Sequence, residues 1–248
     1  MKKIALVTGA GSGIGKACAH ALLKDGWQVI FVGRRADVLE AAMAASPDAA
    51  NGIVMPADLS KEPEVKALFE QVQARFGRLD LLFNNAGISL PYTLPGDLAG
   101  DDWRRMVDIN LSGAFYCLSA AFKLMQTQTP QGGRIINNGS ISAHVPRPGS
   151  IAYAATKHAV SGLTRAASLD GRAFGIAVGQ IDIGNVTSDM TAKMTHGVPQ
   201  ADGSNKPEPC MDISAVADTF MGMARLPLSA NVLFTTVMAT GMPFVGRG

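Results

Sequence analysis

IALVTGAGSGIG, residues 4–15, sets a short apolar run directly before a glycine turn. The residues that follow, Ile14, Ala17, Cys18, Ala21 and Leu22, recur at the spacing of a buried helix face. The reading is strand, tight turn, helix. Gly9, Gly13 and Gly15 permit sharp backbone angles and let a pyrophosphate approach the amides around Ser12 and Ile14, at the positive end of the helix dipole. A plain tight turn uses the same residue type, and the GxxxGxG spacing alone does not separate the two. Its place after the first strand favours the phosphate cradle.

Outward from this unit, short apolar runs at 29–32, 53–55, 79–83, 134–137, 176–181 and 232–235 alternate with longer helical patterns. Between the third and fourth strands, Ser60 reads as an N-cap. Val65, Leu68, Phe69, Val72 and Phe76 form one apolar stripe, and Gly77 closes the helix. The rhythm predicts a single α/β domain over 1–248: a Rossmann-like, doubly wound parallel sheet of about seven strands with helices on both faces. In such sheets, ligands sit beyond the carboxyl ends of the strands. The long Gly- and Pro-containing stretch at 187–212 is expected to be a substrate lid rather than a linker.

Twenty-two basic and 20 acidic residues leave a net charge of +2, and no Lys/Arg run exceeds a pair. Nucleic acid and anionic membranes are therefore not expected partners. The three cysteines are scattered, with no CxxC or Cys/His cluster, so neither a disulfide framework nor a metal site is expected. No apolar run has the length of a signal-peptide core or a membrane span, and the chain reads as cytoplasmic.

Twenty positions beyond Gly13, where NAD-binding versions of the unit tend to carry an acid for the ribose, stands Gly33, followed by Arg34 and Arg35. Two guanidinium groups suit a 2′-phosphate through charge-assisted bonds, whereas an acid would repel it. NADP(H) is thus the expected cofactor. A solvated arginine pair is the bland alternative, and Asp37 keeps NAD(H) open.

"YAATK" at 153–157 sets Tyr153 one helical turn from Lys157, on the same face. A phenol titrates near ~10, so a phenolate acting near neutrality needs roughly 4 kcal/mol of stabilisation, which a neighbouring ammonium is suited to supply. In order along the chain, "TGAGSGIG", "AD" at 57–58, "NNAG" at 84–87, "DIN" at 108–110, "NNGSIS" at 137–142 and "YAATK" resemble the motifs of the compact short-chain dehydrogenases/reductases. The resemblance runs from Lys3 to about Met190. It implies hydride exchange between a nicotinamide and a small carbonyl or alcohol substrate, with Tyr153 as general acid/base and Ser140 hydrogen-bonding the substrate oxygen. Lys157 would hold the nicotinamide ribose, and Asn110 would anchor a water for proton return. It also implies cofactor contacts at Asp58 and Leu59 and at Asn85, Ala86 and Gly87.

Two departures stand out. After the sixth strand the family's Pro-Gly turn is replaced by Ile183-Gly184; Gly184, Val186 and Ser188 are still expected to present backbone and hydroxyl to the cofactor, and Asp182 has no assigned task. The carboxyl terminus, VMATGMPFVGRG, lacks the family's usual surroundings. A homo-oligomer, dimer or tetramer, remains the expectation, through the helices bearing Asn110 and Tyr153. Expected substrate-lining residues are Leu90, Pro91, Tyr92, His144, Val145, Met190 and Met194, with Arg147 a candidate for recruiting an acidic substrate. A dinucleotide-sensing protein without turnover is the alternative function, disfavoured by the intact Asn110, Ser140, Tyr153 and Lys157.

Overall fold

The structure, a computed structural model, describes residues 2–187 and 197–245. Seven strands pair in parallel: β1 (Ile4–Thr8), β2 (Gln28–Gly33), β3 (Gly52–Pro56), β4 (Leu81–Asn84), β5 (Gly133–Asn138), β6 (Ile176–Ile183) and β9 (Phe234–Val237). Their order is β3-β2-β1-β4-β5-β6-β9. A separate antiparallel pair, β7 (Val198–Pro199) and β8 (Asn205–Lys206), lies between β6 and β9 in the chain.

Because both faces of a parallel sheet are covered, its strands are apolar on both sides. Leu6, Ile30, Leu82, Ile135 and Val178 face one core with α3 (Glu62–Phe76) and α5 (Gly113–Thr127). Val7, Phe31, Phe83, Ile136 and Ile181 face the other with α1 (Gly13–Lys24) and α7 (Ile213–Ala224). The remaining helices are α2 (Ala36–Ala44), α4 (Gly100–Val107) and α6 (Ile151–Asp170). Winding reverses between β1 and β4, which opens a crevice at their carboxyl ends.

Three local expectations are corrected. Ser60 does not cap α3; its N–H and hydroxyl both donate to Asp58 Oδ1, at 3.1 and 2.8 Å, and the helix starts after Lys61. The turn that these two bonds close on Asp58 carries the chain past Ser60, so Lys61 occupies the N-cap position. The fourth strand begins at Leu81 rather than 79, because Leu79 N–H and C=O are taken by the Gln128 amide at 2.8 and 3.0 Å. The last strand begins at Phe234 rather than 232. Val232 O sits where a Cβ on Gly179 would collide with it, and Asn231 donates to Val178 O at 2.7 Å. Gly77 closes α3 in the left-handed region as expected, with φ +70°.

Cys18 and Cys117 are buried, whereas Cys210 is partly exposed. Burial pushes the Cys117 thiol up to about 12 and raises that of Cys18 as well. Among the described residues no three potential metal ligands cluster, and no helix is long and apolar enough to cross a membrane.

Candidate active site

At the carboxyl ends of β1, β4, β5 and β6 lies a cavity of about 590 Å³. One wall is the glycine turn after β1. Gly9 has φ +67°, a conformation that favours glycine, and a Cβ on Gly15 would collide with the Gly9 carbonyl oxygen. Ser12, extended at φ −158°, precedes α1, whose first turn carries no acid. The helix start therefore keeps its partial positive charge for a ligand. Ser12, Gly13, Ile14 and Gly15 all line the cavity. Thr8 braces this turn against the end of β4: its hydroxyl accepts the Asn85 and Ala86 amides at 2.8 and 2.9 Å, and the Asn85 side chain donates to Thr8 O at 2.8 Å. That places Asn85, Ala86 and Gly87 in the same wall.

Arg34, Arg35, Asp58 and Leu59 are not part of this lining; they lie farther out, past the ends of β2 and β3. Ala57 N–H donates to Gly33 O at 2.9 Å, which brings the two strand ends together. Burial alone would raise the Asp58 carboxyl, but hydrogen bonds from Ser60 and the charges of Lys61 and Arg34 hold it below its ordinary range. Arg34 and Arg35 are exposed and free to meet an anion at this edge.

Asn110 sits in a π-helical turn, Asp108–Ser112, between α4 and α5. Its side chain clamps the backbone of Ile88, accepting its N–H at 2.8 Å and donating to its carbonyl at 2.9 Å. The adjacent Gly113 has no room for a side chain, since a Cβ would press on Leu59 O at 2.8 Å. No residue pattern in the sequence marked this π turn.

Ser140, Tyr153 and Lys157 line the same cavity. Lys157 Nζ lies 5.6 Å from the Tyr153 ring centroid and donates to Asn138 O at 2.7 Å. Ser140 Oγ accepts the Ser142 N–H at 3.1 Å, leaving its own hydrogen for another acceptor. Gly184 and Val186 line the far end. Leu90, Pro91 and Tyr92 lie in the cavity wall, with Ile88, Leu98, Met106 and Ile151 extending its apolar part.

Two expected lining residues are placed differently. His144 and Val145 are not among the residues around the cavity; His144 Nε2 instead meets Asp182 Oδ2 at 2.8 Å. A buried carboxylate draws the imidazole more strongly than an apolar cavity does. Arg147 does line the cavity, but its charge is spent on buried Glu208 and on Asn185 Oδ1, the latter at 2.8 Å. Among the described residues its Nε has no hydrogen-bond partner. This pairing argues against recruitment of an acidic substrate. Sequence reasoning missed Glu208, Asn185 and Gln200, which join this cluster. Ser188, Met190 and Met194, and most of the first half of the expected lid, lie outside the described residues.

A doubly wound sheet with a glycine cradle at its switch point defines a dinucleotide-binding protein. The family described as short chain dehydrogenase matches residues 3–199. A 3beta-hydroxysteroid dehydrogenase of Mediterraneibacter gnavus is 40% identical over 193 residues, 77% of this chain and 69% of the relative. A serine 3-dehydrogenase of Agrobacterium fabrum is 31% identical over 242 residues, 97% of this chain and 95% of the relative. The structure of an actinorhodin polyketide ketoreductase with NADPH superposes with a TM-score of 0.85 at 26% identity, covering 96% of both chains. The chain belongs to the short-chain dehydrogenase/reductase family and is an NAD(P)-dependent oxidoreductase.

Proposed function

We propose that the chain is an NADP(H)-dependent carbonyl reductase or alcohol dehydrogenase with Tyr153 as general acid/base. The observation that carries this reading is the shared cavity: Ser140, Tyr153 and Lys157 line it together with the glycine cradle, with the ammonium 5.6 Å from the centre of the phenol ring. When bound, the nicotinamide supplies or accepts a hydride. Gly9, Ser12, Gly13, Ile14 and Gly15 would hold the pyrophosphate, and Asp58 and Leu59 would serve the adenine end. Asn85, Ala86 and Gly87 would line the inner part of the cofactor site, and Gly184 and Val186 would present backbone at the nicotinamide end. Arg34 and Arg35 would take the 2′-phosphate.

In reduction, Tyr153 gives its proton to the carbonyl oxygen, and the Ser140 hydroxyl donates a hydrogen bond to the same atom. The Lys157 ammonium favours the phenolate left behind, and its N–H groups not used by Asn138 would hold the nicotinamide ribose. Asn110, fixed on Ile88, anchors the water that returns the proton. The wall formed by Leu90, Tyr92, Leu98, Met106 and Ile151 suits a substrate with an apolar body around one reacting oxygen. Homo-oligomerisation belongs to the same reading: Phe115 on α5 and Leu169 on α6 stay exposed, and sedimentation would show whether chains pair there.

The test is a substrate panel with both cofactors. It comprises cyclic and aryl ketones, aldehydes and 3-oxo esters for reduction, and a 3β-hydroxysteroid and serine for oxidation. Turnover is expected with NADPH on apolar carbonyls. Tyr153→Phe should lower it by ~10²- to 10⁴-fold while leaving cofactor affinity unchanged. Binding of NADPH with no turnover on any member would favour the dinucleotide-sensing alternative.

A further inference from the structure

Asp182, at the carboxyl end of β6, is 1% exposed and takes no part in the chemistry proposed above. Burying a carboxylate is costly unless its oxygens are hydrogen-bonded, so its partners show what the cost secures. Oδ1 accepts the Ser140 backbone N–H at 3.1 Å and the Gln180 amide at 2.6 Å; Oδ2 meets His144 Nε2 at 2.8 Å. Ser140 and His144 flank the short 3₁₀ turn Ile141–Ala143, so one carboxylate grips both ends of that turn.

The segment just before the turn is held from two sides. The Lys157 ammonium binds the carbonyl of Asn138, and the Asp182 carboxylate binds the amide of Ser140, two residues later. Between them, a side chain on Gly139 would collide with Asp182 Oδ1, so the carboxylate packs directly against the backbone. Asp182 is itself tied to the helix that carries Tyr153 and Lys157. Gln180 Nε2 also donates to Ser161 Oγ at 2.9 Å, and Gln180 Oε1 accepts from Thr164 Oγ1 at 2.8 Å. Both hydroxyls stand on α6.

We propose that Asp182, braced by His144, is a positioning residue: it fixes the Ser140 amide so that the Ser140 hydroxyl and the Tyr153 phenol converge on one substrate oxygen. This rests on the carbonyl-reductase reading given above. The carboxylate never touches substrate. It sets the backbone from which the serine hydroxyl projects, and the polar chain through Gln180 keeps that backbone in register with α6.

The test uses the full chain, NADPH deuterated at the transferred position, and the ketone that the wild-type protein turns over best. Asp182→Ala should lower kcat by ~10²-fold, the cost of misplacing a hydrogen-bond donor by about an ångström. The isotope effect on kcat should rise, and the NADPH dissociation constant should stay within about twofold, as for an interaction used only in the transition state. A merely structural role would shift cofactor affinity and melting temperature together and leave the isotope effect unchanged.

His144 keeps 39% of its side chain exposed, so its variants keep the test informative even if Asp182→Ala does not fold. His144→Leu should lower kcat and raise the isotope effect; His144→Gln, whose amide still donates to Oδ2, should restore both. Wild-type kcat and isotope effect in His144→Leu, or failure of His144→Gln to rescue, would overturn the proposal. Tyr153→Phe separates the two claims. If it kills turnover while these variants behave as wild type, only the role of Asp182 falls. If it stays active, or if the wild-type protein turns over no carbonyl, the underlying reading falls and this inference with it.

Discussion

The two sides of the cavity are built from different materials. The cofactor side is mostly backbone: a glycine turn, a helix start free of acids, and amides locked by Thr8. The substrate side is held by buried charges and side-chain amides: Asp182 with His144, and Arg147 with Glu208, Asn185 and Gln200. A backbone turn as tight as the one at Gly15 leaves no room for added atoms and brings no side-chain charge of its own. A side-chain site can be reshaped by substitution, at the risk of stranding a buried ion.

The contrast is broken most forcefully on the substrate side. Arg147→Met, which takes the guanidinium from buried Glu208, is expected to destabilise the fold by roughly 3–5 kcal/mol, read from urea unfolding. On the cofactor side, Arg34→Ala should weaken NADPH relative to NADH by about 1.5–3 kcal/mol, the range for a hydrogen bond to a charged group. Equal losses for the two cofactors in a fluorescence titration would show that this arginine does not read the phosphate.

The glycine turn offers a finer comparison. Gly15→Ala places a methyl against the Gly9 carbonyl and should cost roughly 1–3 kcal/mol in cofactor affinity. Gly13, at φ +50° with nothing near its would-be Cβ, should accept asparagine with a smaller loss. Similar losses at both positions would mean that the positive φ at Gly13 limits the turn as much as the lack of space at Gly15 does.

The smallest effect is a slope. Burial alone would raise the Glu208 carboxyl, but hydrogen bonds from Gln200 and Asn185 and the Arg147 guanidinium hold it below its ordinary value. The folded state therefore binds this proton more weakly than the unfolded chain does. The resulting stability is fully present above the usual glutamate range, near ~4.3, and is lost as pH falls through the lowered folded-state value. Between about pH 5 and 3, the melting temperature of the wild-type chain should fall more steeply than that of Glu208→Gln.

The same contrast explains what could be read from the chain before folding. The cradle, the βαβ rhythm and the Tyr153–Lys157 spacing are local: a glycine turn or an i,i+4 pair specifies its geometry within a few residues. Asp182 made no sense alone because its partners, His144 and Ser140, are 38 and 42 positions away. Arg147 reads as a candidate for recruiting an acidic substrate because its partner, Glu208, lies 61 positions on. Ser60 misleads for the opposite reason, since a local turn on Asp58, two residues back, moves the helix start past it. The π turn at Asn110 ends at Gly113, which packs against Leu59, a contact between segments distant in sequence.

The cysteines turn the molecule into its own reporter. With Cys18 and Cys117 buried and their thiols held protonated, a maleimide dye should attach at Cys210 alone, on the stretch that joins the β7–β8 pair to α7. One label at native sequence would then track, by anisotropy, how that stretch responds when a dinucleotide enters.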